Sequence, residues 1–231
     1  ARCLPVDRAR LLADRRRLLG DLPRQAPEGL SGSITARSSP VCEHVAVTTI
    51  AEALAAQPTL STARLTLVQL GPAFIDEAML ALDDADAMRL TGTRAVFTRE
   101  LVLTHLAKLP GADDRADFAI IDEHGAYAGE VVLNELEDDD LAMNYRIALA
   151  GATWRGRGYG TEAGRAVVEW AFDEVGLHRI GLDVFSFNPG AQRSYEKIGF
   201  RVEGRSRHTM CWDGEWVDSV LMGMLSTDPR P

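Results

Sequence analysis

Trp154-Arg155-Gly156-Arg157-Gly158-Tyr159-Gly160-Thr161-Glu162 is the stretch from which the fold of this chain is read, together with Asn188-Pro189-Gly190-Ala191-Gln192-Arg193-Ser194-Tyr195-Glu196-Lys197-Ile198-Gly199-Phe200 downstream. The glycines at 156, 158 and 160 let backbone come close to a ligand. They open a helix whose Ala163, Val167, Trp170 and Ala171 fall on one face and whose Glu162, Arg165, Glu169 and Asp173 fall on another. A helix start directs unsatisfied N–H groups and the positive end of its dipole outward, so the turn reads as an anion site, with Arg155 and Arg157 adding charge. The bland reading of the same residues is a tight strand-to-helix connection.

Strands surround this segment. Leu65, Leu67 and Leu70 alternate with polar residues as a first strand, which Gly71-Pro72 ends before a helix over Phe74 to Leu82; a second helix covers Arg99 to Lys108. Phe118 to Ile121 and Tyr127 to Leu136 flank Asp122-Glu123-His124-Gly125, a hairpin composition, and a further strand runs from Met143 to Leu149 after the acidic turn Glu137 to Asp140. Beyond the glycine-rich helix, which ends near Gly176, come a strand over Arg179 to Phe185 and a helix begun by Asn188-Pro189 and closed by Gly199. Phe200 to His208 and Trp216 to Leu225, joined through Asp213-Gly214, complete the pattern. Antiparallel strands therefore precede the glycines.

That order bears on rival phosphate-binding readings. The P-loop pattern GxxxxGK is absent. Gly158, Gly160 and Ala163 fit the GxGxxA of a nicotinamide-dinucleotide site, with Asp183 roughly 20 residues on, but a Rossmann unit wants a buried parallel strand before the glycines. Here the preceding strand begins Asn144-Tyr145-Arg146 and follows hairpins.

The two quoted segments resemble the two signatures of the GNAT acyltransferase superfamily: Q/R-x-x-G-x-G/A at Arg155 to Gly160, and N-x-x-A-x-x-x-Y-E-K-x-G-F at Asn188 to Phe200. Glu203-Gly204, Arg207, Asp213-Gly214 and Asp218 are similar to the branch containing ribosomal-protein N-terminal acetyltransferases. The resemblance runs from about Ser61 to Leu225. It implies an α/β (α+β) fold: a mixed, mostly antiparallel, twisted sheet with splayed central strands flanked by helices. It implies acetyl-CoA as cosubstrate, with the pantetheine along Ile147 and Leu149, the pyrophosphate on backbone N–H groups of Gly156, Arg157, Gly158, Tyr159, Gly160 and Thr161, and Arg155 and Asn188 nearby. The acceptor would be a primary amine, of a protein N-terminus or a small molecule, attacking the thioester directly. Tyr195 fits the general acid that protonates the departing thiolate, although Ala191, Tyr195 and Ile198 also share the spacing of a buried helix face. Asn188 doubles as the N-cap that its place before Pro189 explains. The amine needs a general base. Glu130 is the candidate, since alternation puts it with Asn134 on one strand face, and Glu135, Asp183 and Tyr145 compete with it.

Composition sets the outer limits. Of 231 residues 46% are apolar, enough for a sizeable core, and the net charge is -9. Residues 1–60 hold 8 basic and 6 acidic side chains, leaving 17 and 28, or -11, for the remainder. An acidic domain disfavours nucleic acid and suits a cationic amine, or serves solubility alone. The acidic groups Asp83-Asp84-Asp86 and Glu137 to Asp140 could attract a cation, but ordinary solvated turns explain them. Runs long enough for a membrane span are missing, as is a signal-peptide core, so a cytoplasmic protein is expected. Cys3, Cys42 and Cys211 are too scattered for a disulfide framework and read as reduced thiols; no zinc pattern occurs. Residues 1–60 read as an arm, with a short helix over Asp7 to Leu19 and a Pro, Ser and Gly-rich linker from Leu22 to Pro40. Residues 61–226 would form the acetyltransferase domain and 227–231 a tail; a homodimer is compatible with this division. An acyl-CoA sensor without turnover is the alternative from another functional class.

Overall fold

The computed structural model describes residues 49–231. In chain order the elements are α1 (Ile50–Ala55), β1 (Leu60–Ser61), β2 (Leu65–Gln69), α2 (Ile75–Leu82), α3 (Ala85–Thr91), α4 (Arg99–Leu106), β3 (Ala116–Asp122) and β4 (Tyr127–Glu137). Then come β5 (Ala142–Leu149), α5 (Tyr159–Asp173), β6 (Arg179–Phe185), α6 (Pro189–Ile198), β7 (Arg201–Trp212) and β8 (Glu215–Leu225). The strands make one sheet in the order β1-β2-β3-β4-β5-β6-β8-β7. Every neighbouring pair is antiparallel except β5 and β6. The expected mixed, mostly antiparallel sheet is therefore present. A Rossmann unit is not, because β5 is antiparallel to β4 and runs parallel to β6 only over Ala142–Asn144 against Arg179–Gly181.

Alternation along the strands decides the two faces. Val131, Leu133, Met143, Tyr145, Ile180 and Leu182 point to one side, where Ala163, Val167, Trp170 and Ala171 of α5 and Tyr195 and Ile198 of α6 close over them. Trp170 stands edge-on to Phe118, centroids 5.3 Å apart at 84°, a geometry worth about 0.5–1.5 kcal/mol beyond area burial. On the other side a smaller cluster of Leu70, Val102, Leu106, Leu109 and Ala119 packs beneath α2 and α4. The hairpin between β3 and β4 turns as its composition predicts: Asp122 Oδ1 accepts from the amides of His124 (3.0 Å) and Ala126 (2.7 Å).

Two sequence expectations change. The Asp83 to Asp86 stretch is more than a solvated turn, since Asp84 caps α3, a helix whose short apolar pattern gave no periodic signal. Cys211 is disulfide-bonded rather than reduced; chain spacing carries no information about which thiols meet in space. Cys3, Cys42, the Asp7 to Leu19 helix and the Leu22 to Pro40 linker lie outside the described residues. Thr49 and Glu52 form a reciprocal capping box on α1, and Leu54 is fully buried in the main core. Gln57 binds the backbone of Asp117 twice, donating to its carbonyl at 2.8 Å and accepting from its amide at 3.3 Å. We propose a domain boundary near Thr49 in place of residue 60. Leu54→Ala should accordingly lower stability by about 2–5 kcal/mol in chemical denaturation. A chain begun at Ser61 should unfold at lower denaturant than one begun at Thr49, and equal midpoints would return the boundary to residue 60.

Candidate active site

The glycine-rich turn folds as its composition requires. Gly156 and Gly158 take φ of 76° and 84°, the left-handed region that side chains resist, and α5 starts immediately afterwards at Tyr159. No side chain caps it, and the first amide with a helical acceptor is that of Glu162, bonded to Gly158 O at 3.0 Å. The amides of Tyr159, Gly160 and Thr161 are thus left as donors at the positive end of a 15-residue helix. A Cβ at Gly160 would lie 3.6 Å from Ile147 and 3.8 Å from Leu149, so the turn stands over the end of β5.

The two motif arginines separate. Arg157 is exposed at the turn. Arg155 is paired with Asp84, its Nη2 2.7 Å from Asp84 Oδ2. A third arginine, which the sequence reading missed, joins the turn: Arg64 donates to Arg157 O at 3.1 Å and lies over the Tyr159 ring at 4.7 Å. Its other nitrogens hold Glu162, 2.6 Å at the closest, and Thr62 Oγ1 donates to the same carboxylate at 2.6 Å. Burial would raise the Glu162 carboxyl, but the Thr62 and Arg64 bonds outweigh it and the group stays below its ordinary range. No local pattern marks Arg64, because its partners stand more than 90 residues away.

Beside the turn, β5 and β6 part. β5 continues to Leu149 and β6 to Phe185, yet their pairing stops at Asn144 and Gly181, so among the described residues the backbone edge of β5 beyond Asn144 has no strand partner on that side. Tyr195 sits next to this gap on the helix side, packed at 5.9 Å on Tyr145 and 6.1 Å on Phe200. Burial first, and the Asp183 charge second, push its phenol well above the usual range, which keeps the proton on the oxygen. Tyr145, a competitor for the base, is sealed inside: its hydroxyl lacks a hydrogen-bond partner and would be 2.7 Å from a Cβ at Gly164. Asn188 acts as the expected cap, accepting from the Ala191 amide at 3.1 Å, and Ser194 bonds Thr161 at 2.8 Å, tying α6 to α5.

The candidate base stands on the opposite face. Glu130 pairs with Ala148 across the ladder and its Oε1 is 3.0 Å from Arg146 Nη2; Asn144 donates to Asn134 at 3.0 Å on the same side. Asp183, across the gap on β6, accepts from the buried Ser219 at 3.0 Å. Glu135 leaves the row at a β-bulge with φ 57° and is exposed. Tyr195 and Glu130 thus lie on opposite faces of the sheet.

The description that matches this chain, over residues 64–201, is an acetyltransferase (GNAT) domain. A probable N-acetyltransferase, YjcK, of Bacillus subtilis is 42% identical over 73 residues, 32% of this chain and 40% of that one. The [ribosomal protein uS5]-alanine N-acetyltransferase of Escherichia coli is 28% identical over 81 residues, 35% of this chain and 42% of that one. In both cases the match spans less than half of the relative's length. The crystal structure of spermidine N-acetyltransferase from Vibrio cholerae in complex with CoA and spermine superposes with a TM-score of 0.68 at 20% identity, over 72% of this chain and 98% of that one, a likeness of fold. With the family description covering more than half of its residues, the chain belongs to the acetyltransferase (GNAT) family.

Proposed function

We propose that this protein is an N-acetyltransferase that moves the acetyl group of acetyl-CoA directly to a primary amine. The observation that carries the reading is the continuity of two backbone features: uncapped amides at Tyr159, Gly160 and Thr161, and the unpaired edge of β5 beneath them. The first suits a pyrophosphate. The second suits the amide-bearing pantetheine, which would add to β5 along Ile147 and Leu149 as a strand does. The thioester then lies in the gap, where a β5 amide can bind the oxyanion that forms when the amine attacks. As the C–N bond forms and the C–S bond breaks, Tyr195 gives its proton to the sulfur. Glu130, held by Arg146, takes the amine's proton through water, with Asp183 as the other carboxylate within the region. The acceptor enters from the face bearing Glu130 and Asn134. A protein N-terminus and a cationic small amine both fit, the acidic charge favouring the approach of either.

A screen of acetyl transfer across alanyl peptides and polyamines, read by release of free CoA, tests the activity; no release with any amine while acetyl-CoA binds would leave a sensor. Gly158→Val forces a β-branched residue to φ 84° with its Cβ 3.3 Å from Arg64. It should abolish CoA binding in calorimetry while circular dichroism stays unchanged, and full affinity in the folded variant would remove the turn from the site. Tyr195→Phe keeps the ring contacts and loses only the hydroxyl, so kcat should fall on the order of 10²-fold or more with acetyl-CoA affinity and Tm little changed. Undiminished turnover would leave water as the proton donor. Glu130→Gln should likewise cost on the order of 10²-fold in kcat; if the loss appears instead in Asp183→Asn, the base is Asp183.

A further inference from the structure

Arg155 leads the glycine-rich motif, yet its charge is engaged elsewhere. Its pair with Asp84 is half-buried, the two side chains 28% and 24% exposed. The Asp84 carboxylate works twice: Oδ2 takes the guanidinium, and Oδ1 caps α3 by accepting from the amides of Asp86 (2.9 Å) and Ala87 (3.1 Å). Burial alone would raise this carboxyl, but the Ala87 amide, the Arg155 charge and the Asp86 amide outweigh it and hold it ionised.

The far end of α3 meets the end of β6. It closes on Gly92 with φ 67°, where a Cβ would come within 2.7 Å of the Phe185 ring. Arg89, in its last turn, lies over Phe187 at 4.5 Å. Phe185 ends β6, two residues past Asp183. One end of α3 is therefore held by the phosphate turn and the other by the strand that borders the gap. A further feature points to a ligand at Arg155: its Nε is buried and has no hydrogen-bond partner among the described residues. A donor in that state carries the cost of desolvation until an acceptor reaches it. A guanidinium presents its donors as a rigid planar fork, so one group can serve two acceptors at once.

We propose that Arg155 and Asp84 are positioning residues that couple the phosphate turn to α3: a phosphate oxygen of the bound nucleotide completes Arg155 Nε while Nη2 keeps Asp84, so that cofactor binding seats α3 over the acceptor side of the gap. The inference rests on the reading that CoA binds at this turn. It goes beyond that reading in giving the leading arginine a second task, which makes the acceptor side responsive to the CoA side. Coupling of this kind requires that CoA bind the seated α3 better than the unseated one, and the shared guanidinium supplies that difference.

The test is hydrogen exchange across Ala85–Thr91 in the full chain, with and without CoA. In the wild type CoA should slow α3 exchange by roughly fivefold or more, the lower end of typical site-to-site coupling. Asp84→Asn retains a capping side chain but loses the charge, and it should bind CoA with the slowing of α3 lost. Arg155→Gln, measured in parallel at saturating CoA, should lose it as well. CoA binding to the wild type without protection of α3 would overturn the coupling alone. The same CoA-dependent slowing in both variants would also overturn it, leaving the pair as a packing contact. A wild type that fails to bind CoA would overturn the acetyl-CoA reading and the coupling with it.

Discussion

The ladder between β5 and β6 ends after Asn144 and Gly181, and the rest of the active-site architecture depends on that ending. A strand edge inside a sheet, carrying amides and carbonyls with no partner strand, is costly unless water or a ligand satisfies it. Here the open edge is bordered on one side by a strand fully paired to β4 and on the other by a strand fully paired to β8. Each half of the sheet is complete without the other, so the gap is stable in position and a ligand can take the place of the missing strand.

Helix α5 links the gap to the core. Its buried side chains fill the space over the sheet, and the close approach at Gly164, where a Cβ would stand 2.5 Å from Ile198, presses it against α6. That packing sets the height of the helix start over the end of β5. Binding geometry is in this way a by-product of core packing: the same rigid body that buries Trp170 and Val167 directs three uncapped amides at its N-terminus. Tyr195 is held by the same cluster, through Tyr145 and Phe200, so the phenol proposed as the proton donor is also a core residue. The two readings of its helical spacing are compatible in the folded protein.

The charges follow a different logic. Arg155 and Arg157 stand two residues apart in the sequence and look equivalent, but one meets Asp84 and the other faces solvent. Arg64, whose strand-end position carries no motif, reaches the turn because β2 and α5 pack side by side in the fold. Acidic residues that look like solvated turns include the cap of α3, and Glu130 acquires Arg146 as a partner from the neighbouring strand. For the Arg155, Arg64 and Glu130 pairs the partner is 16 or more residues away in the chain, and a pair of charges leaves no local periodicity.

Sequence by itself determined the glycine-rich turn and its helix, the alternating strands, the Asp122 hairpin, the Asn188 cap and the buried face of α6, because each depends on neighbours within a few residues. It also determined family membership through two motifs at the proper separation. Tertiary structure alone decided where pairing between β5 and β6 stops, that Tyr195 and Glu130 approach the gap from opposite faces, that Leu54 belongs to the core, and that Arg155 is joined to Asp84. Those outcomes depend on which elements become neighbours once the apolar faces are buried, and burial is a property of the whole assembly rather than of any segment.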